Sequence, residues 1–364
     1  MTQEVTKKDI FKHYIASVLI YGFMFLFVTF CPLFNHSADP QTFNYIYFFF
    51  IYYFLYIVIA PFILFKFKPQ TILTSRSVAV FSYIKRQFLK NISQEERIKN
   101  IEPRENEKQA FVIFFIQAFF GVYCIDILCT KILPSIGYDF DFLKEVISQA
   151  VQYAQLSGPI AGVLQFLDDS NDMWLTLMLG VTAFVMAISY LSELSFFKNR
   201  IKYVDTTPMG IFSCIMCYYP LKAISDRIIP SFTTEHVPVE NLYIRITFGL
   251  ILIVAEFIIM LSVLRLGTKS SNLTNRGIVA KFPYNIIRHP DYTMQILMLT
   301  VLTIPFYFNT GYGILEKFVL TIGLAGWVAV YYVRALTEER NLIKDPEYQE
   351  YCQKVKYRFI PKLF

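Results

Sequence analysis

The stretch Asn241-Leu-Tyr-Ile-Arg-Ile-Thr-Phe-Gly-Leu-Ile-Leu-Ile-Val-Ala-Glu-Phe-Ile-Ile-Met-Leu-Ser-Val-Leu264 carries only two ionisable residues, Arg245 and Glu256. A helix needs about 17–25 predominantly apolar residues to cross a bilayer, and this block is long enough. Comparable blocks recur at about 14–34, 43–65, 111–131, 173–197, 210–229, 292–308 and 315–336. Across 364 residues, 55% are hydrophobic, 17% are charged and the mean hydropathy is +0.43. A soluble domain is about a quarter charged. The block pattern excludes a pair of soluble domains and predicts an all-α polytopic integral membrane bundle of about eight transmembrane helices.

Charge orients that bundle. With the N-terminus on the cytosolic-type side, segments 1–13, 66–110, 198–209, 265–291 and 337–364 share one face. They hold 27 of the 34 Lys and Arg, as the positive-inside bias requires. The opposite loop, 132–172, carries Asp139, Asp141, Glu145, Asp168, Asp169 and Asp172 against Lys144. The net charge of +6 therefore reads as topology, with membrane lipids rather than nucleic acid as partners.

Residues 78–89 predict a basic amphipathic helix, lying on the membrane surface or packed on neighbouring loops. Segment 142–167 has helical spacing, with Phe142, Val146, Ile147, Ala150 and Val151 on one side, interrupted at Gly158-Pro159. The aromatic run Tyr47-Phe-Phe-Phe-Ile-Tyr-Tyr-Phe54 reads as lipid-facing. Cysteines 31, 124, 129, 214, 217 and 352 lie mostly in or beside apolar blocks, which suits free thiols better than a disulfide framework. Cys214-Ile-Met-Cys217 has metal-like spacing but no second pair, so it reads as helix packing, with no metal expected. No cleavage site follows the first apolar run, and that run is expected to act as an uncleaved insertion signal. Glu256 is the ionisable group placed deepest in a span, where it needs a helix partner or a polar pocket.

The chemistry gathers near the last hairpin. Asn275-Arg-Gly-Ile-Val-Ala-Lys-Phe-Pro-Tyr-Asn-Ile-Ile-Arg-His-Pro-Asp-Tyr292 runs into one apolar segment, a turn at 309–313, then another. A hairpin returns the chain to the face it left, so Arg288 and His289 share a face with Glu338 and Glu339. Tyr284, Tyr292 and Arg334 join them around one mouth. Such a cluster suits S-adenosylmethionine. Carboxylates accept from its ammonium or ribose hydroxyls, aromatic faces attract its sulfonium, and an arginine holds a carboxylate. The alternative is that Arg334 and Glu338, four apart, form a helix-surface ion pair.

The segment Lys281-Phe-Pro-Tyr-Asn-Ile-Ile-Arg-His-Pro-Asp-Tyr292 is similar to the Arg-His-Pro-x-Tyr motif of the isoprenylcysteine carboxyl methyltransferases and phospholipid N-methyltransferases. Glu338-Glu339-Arg-Asn-Leu-Ile-Lys-Asp-Pro-Glu-Tyr-Gln-Glu-Tyr351 resembles their second motif, and Val355-Lys-Tyr-Arg-Phe-Ile-Pro361 their closing one. The resemblance covers about 275–364. It implies a methyltransferase-like core at 205–364 behind an N-terminal membrane region at 1–204 that holds about four spans. It implies that His289, Tyr292, Glu338 and Glu339 bind the methyl donor, with Tyr284 and Arg288 joining them from the hairpin's geometry, and that Arg334 acts catalytically at the end of a prenyl-cysteine or other lipid-like acceptor. It points to the endoplasmic reticulum, with the mitochondrial inner membrane as alternative.

Two positions depart from that pattern. Phe282 and Met294 stand where the family has glycine, and large side chains there are expected to fill the donor pocket. A non-catalytic subunit of a larger membrane complex, for example a respiratory one, would show that. The ending Tyr351-Cys-Gln-Lys-Val-Lys-Tyr-Arg358 also resembles sterol reductases, which implies NADPH as the alternative cofactor. The in-membrane acids raise a transporter, without repeat symmetry or paired broken helices to support it.

Overall fold

The computed structural model describes residues 4–30, 45–92, 105–193, 197–218, 221–229, 239–308 and 311–363. They are mostly helical, with one short strand pair, and six helices are long and apolar enough to cross a membrane: Lys7–Phe27, Phe49–Phe67, Glu105–Thr130, Asn171–Leu191, Leu242–Lys269 and Ile314–Leu342. Contacts divide the chain into two compact units, Met1–Val122 and Tyr123–Phe364. Hydropathy and motifs alone place the division at 204/205.

The first unit holds α1 (Lys7–Phe30), α2 (Tyr45–Phe67), α3 (Arg76–Ile92) and most of α4 (Glu105–Ile127). Thr6 and Asp9 start α1 by exchanging bonds: Asp9 Oδ2 accepts from the Thr6 amide at 3.1 Å, and Thr6 Oγ1 from the Asp9 amide at 3.2 Å. This reciprocal cap satisfies donors that a helix N-terminus otherwise leaves open. Tyr14 donates to the Ile57 carbonyl and Tyr53 to the Val18 carbonyl, joining α1 to α2. Residues 78–89 do form a helix, α3, and it packs on α1 through Ser17–Ser77 and the buried group Ile20, Val80 and Ala110. Phe50, Tyr52 and Phe54 of the aromatic run are exposed.

The second unit contains α5 (Leu133–Ser157), α6 (Pro159–Asp169), α7 (Asn171–Leu191), β1 (Tyr203–Val204), α8 (Pro208–Ile215) and α9 (Leu221–Ile228). It continues with α10 (Leu242–Leu266), β2 (Thr274–Asn275), α11 (Pro290–Phe308), α12 (Ile314–Leu342) and α13 (Pro346–Lys354). The expected interruption of 142–167 is a sharp reversal at Gly158, whose φ of +94° is a conformation only glycine adopts freely. α6 then folds onto α5 so closely that a Cβ on Gly162 would sit 2.5 Å from the Ala150 carbonyl. Of the expected apolar side, Val146 is buried while Phe142, Ile147 and Val151 are exposed.

The expected straight span at 210–229 is instead two helices of eight residues each, α8 and α9. Thr207 caps α8 by accepting from the Gly210 amide, and Pro208 opens it. Pro220 lies between the two in sequence; it has no amide to donate and disfavours helix at the residue before it. The broken pair still runs along α12. Arg340 reaches Asp205, Arg334 reaches Tyr218, and the Trp327 indole donates to the Ile229 carbonyl. From Arg340 to Trp327 is about 20 Å of helix. The expected span at 292–308 is one helix, α11, which carries Asp291, Thr293, Gln295, Thr300 and Thr303 and is not among the six above.

α7 and α10 run parallel. Arg245 clasps Asp168 near their beginnings, and Ser189 donates to the Thr268 carbonyl near their ends. Two parallel helices require the chain to travel back between them, and α8–α9 is that return. β1 pairs antiparallel with β2, Tyr203 opposite Asn275 and Val204 opposite Thr274, which ties the segment before α8 to the one after α10.

Candidate functional site

The segment 355–361 fixes the start of α11. The Arg288 amide donates to the Tyr357 carbonyl at 2.9 Å, the His289 amide to the Arg358 carbonyl at 3.0 Å, and Thr293 Oγ1 to the Phe359 carbonyl at 3.1 Å. Opposite it, the last turns of α12 present Arg334, Glu338 and Glu339. Residues four apart on a helix share a face, while neighbours differ by about 100°. Arg334 and Glu338 therefore face one way, and Glu339 another.

Arg334, Glu338, Tyr292, His289, Arg288 and Tyr284 all line a cavity of about 460 Å³ inside the second unit. That volume lies within the range of small-molecule sites, about 300–1,000 Å³. Its other walls come from Tyr218, Asn272, Gln295, Trp327 and Tyr331, and it extends into an apolar part bounded by Leu179, Met186, Ile259 and Leu302.

Arg334 is 5% exposed. Its Nη2 donates to Tyr218 Oη at 3.0 Å and to Asn272 Oδ1 at 2.8 Å. The guanidinium lies 4.8 Å from the Tyr292 ring centre and 5.2 Å from that of Tyr218. Its Nε is buried without a hydrogen-bond partner. Arg334 is thus engaged by Tyr218 and Asn272, and no ion pair with Glu338 occurs among the described residues. Glu338 accepts instead from the Tyr292 hydroxyl at 2.7 Å. His289 stacks on Tyr292, with ring centres 5.3 Å apart and planes within 5°.

Glu339 stands behind the wall rather than on it. Its carboxylate holds His289 Nε2 at 3.1 Å, Arg288 Nε at 3.3 Å and Arg358 Nε at 2.9 Å. Three cationic or donor groups around one carboxylate fix α11, α12 and the segment 355–361 together. Tyr284 contributes its carbonyl as well, which accepts from the Tyr351 hydroxyl at 2.6 Å.

Neither Phe282 nor Met294 lines the cavity, and Phe282 is 45% exposed. The expectation that these two side chains fill the pocket does not match their placement. Cys214 and Cys217 are free thiols, as are Cys124, Cys129 and Cys352, and Cys217 donates to the Ser213 carbonyl. Among the described residues no group of three or more His, Cys, Asp or Glu is arranged to hold a metal. Cys31 lies outside the described residues.

Sequence reasoning missed Tyr218, Asn272, Tyr331 and Arg358. Tyr218 follows the Cys-x-x-Cys pair that drew attention for its spacing, and Asn272 sits in an ordinary Asn-Leu-Thr sequon. Their roles come from distant elements meeting, which no local pattern announces.

No protein-family model matches the chain, no curated protein matches it, and no solved structure matches it.

Proposed function

We propose that this chain is a membrane methyltransferase that crosses the bilayer eight times. The cavity would bind S-adenosylmethionine at its polar end and a prenyl-cysteine or other lipid-like acceptor in its apolar part. The reading rests chiefly on Arg334, a buried guanidinium enclosed by two tyrosine rings, with a free N–H and a carboxylate one turn away. Direct transfer would break the sulfonium–methyl bond and form a methyl–oxygen or methyl–nitrogen bond on the acceptor. The chain supplies proximity and a dry, oriented site. Arg334 would orient the acceptor's carboxylate, Glu338 would accept from the donor's ammonium or ribose, and the rings of Tyr292 and Tyr331 would favour the sulfonium. Glu339 acts as a positioning residue through His289, Arg288 and Arg358.

The eight crossings would comprise the six long apolar helices, the broken α8–α9 return and α11. The endoplasmic reticulum is the proposed compartment. The displacement of Phe282 and Met294 from the cavity supports a working donor site over a silent subunit.

Calorimetry with the full chain tests this. S-adenosylmethionine is expected to bind in the micromolar range, and Glu338→Ala to weaken it about tenfold or more, as loss of a charge-assisted bond implies. Binding of NADPH alone would move the assignment to a reductase. Silence of both would direct attention to partner subunits.

A further inference from the structure

Two polar groups in the deeper, apolar part of the cavity have no role in the proposed transfer. Glu256, midway along α10, is 7% exposed and lines the cavity with Ile259 and Val263. Among the described residues nothing bonds its carboxyl. Thr182 of α7 is also 7% exposed and lines the same cavity, and its hydroxyl has no hydrogen-bond partner.

The helix register brings the two together. Asp168–Arg245 and Ser189–Thr268 pair residues 77 and 79 apart. Thr182 therefore stands level with about residue 260, and Glu256 about one turn from it, some 6 Å along the axis. Leu252 packs with Val301 where α11 returns beside α10, which sets Glu256 near the level of Leu297. That is five residues beyond Tyr292, about 7 Å further from the polar end.

A buried carboxyl without a partner is costly. Glu256 lines the cavity in that state, which points to a ligand that satisfies it, whereas the Thr182 hydroxyl about one turn away is closed off behind the wall. We propose that Glu256 is a subsite for a hydrogen-bond donor carried on the apolar portion of the ligand, a hydroxyl or an ammonium. The cavity then selects an amphiphile with a second polar group below its reacting end, and rejects a plain hydrocarbon tail. This inference rests on the cavity being an amphiphile site.

The test uses the full chain in lipid nanodiscs. The chain has two tryptophans, so a Trp174→Phe background leaves Trp327, on the cavity wall, as the sole reporter. Trp327 is first quenched with 9,10-dibromodecanoate, and relief of that quenching is titrated with decanoate, 10-hydroxydecanoate and 10-aminodecanoate, in the background protein and with Glu256→Leu or Glu256→Gln added. The ratio of affinities is compared between proteins, so that partition into lipid cancels. The hydroxy or amino probe is expected to gain about tenfold over decanoate relative to Glu256→Leu, with decanoate binding kept in that variant. A hydroxyl gain kept by Glu256→Gln marks a neutral donor, whereas an amine gain lost in it marks a cation. Equal ratios in both proteins would overturn the subsite while leaving the amphiphile site standing, with water then satisfying the carboxyl. Failure of 9,10-dibromodecanoate to quench Trp327 would remove the amphiphile site and this inference together.

Discussion

Adjacent glutamates on α12 do different work because one residue of helix turns the side chain by about 100°. Glu338 faces the cavity and Tyr292, while Glu339 faces away and gathers His289, Arg288 and Arg358. Exchanging them for glutamine should separate the two roles. Glu338→Gln is expected to weaken donor binding with little change in Tm. Glu339→Gln leaves three buried or half-buried donors without their anion, and a loss of about 3 kcal/mol is expected, read as a lower Tm in thermal unfolding. In the proposed transfer the free N–H of Arg334 would serve the acceptor, so Arg334→Met should leave donor binding within about twofold and abolish turnover. The motif residues were legible because a hairpin returns the chain to one face, so spacing alone predicts that 288–292 and 334–339 meet. What each would touch was not legible. That Glu339 leaves the wall, or that Tyr218 and Asn272 grip Arg334, depends on helix rotation and on loops that carry no periodic signal.

Helix lengths followed from the apolar blocks, and the departures have local causes. The stretch 210–229 is hydrophobic enough to read as a single span, yet α8 stops at Ile215 in turns through Cys217 and Tyr218, which hydropathy does not register. An interruption was anticipated at Gly158-Pro159, but the reversal and the back-packing of α6 were not, since their marker is one small residue. Gly162→Ala places a methyl against the Ala150 carbonyl. It is expected to destabilise by about 1–3 kcal/mol, measured as a fall in Tm, whereas Ala161→Gly should cost less. Between α13 and the strand pair, Asp345 accepts from Lys202 at 2.7 Å and Asn275 at 2.9 Å and caps α13 through the Glu347 amide. Burial works to raise its pKa, yet these bonds outweigh it and hold the carboxyl below its ordinary value. A depressed carboxylate stabilises the fold above the unfolded-state pKa and loses that contribution as pH falls through the folded value. Tm is therefore expected to drop below about pH 4, and Asp345→Asn to flatten that dependence while lowering Tm at neutral pH.

For the whole second unit, the parallel course of α7 and α10 and the β1–β2 pairing define which ends belong together. In the proposed membrane setting, cysteines introduced at the exposed positions Lys281 and Glu347 should label from the same side, and one at Glu240 from the opposite side. A Cys352→Ser background keeps the signal clean. Labelling of all three from one side would reject the crossing by α10 and, because β1 pairs with β2, the return crossing by α8–α9 with it.

The same parallel pairing has a consequence for the order of assembly. α11 and α12 can close on each other as soon as both have been made, because a short turn joins them. α7 meets the earlier segment around Ile127 and Ile132 through Gly180 and Ala183, but its long partner does not yet exist. α10 arrives nearly eighty residues later, after the chain has run back along α8–α9, and contacts so distant in sequence form late. Until then the Thr182 side of α7 faces something other than α10. The cavity is therefore the last part of this unit to exist, and a variant that delays the α8–α9 crossing should accumulate as an inserted chain with the hairpin formed and no site.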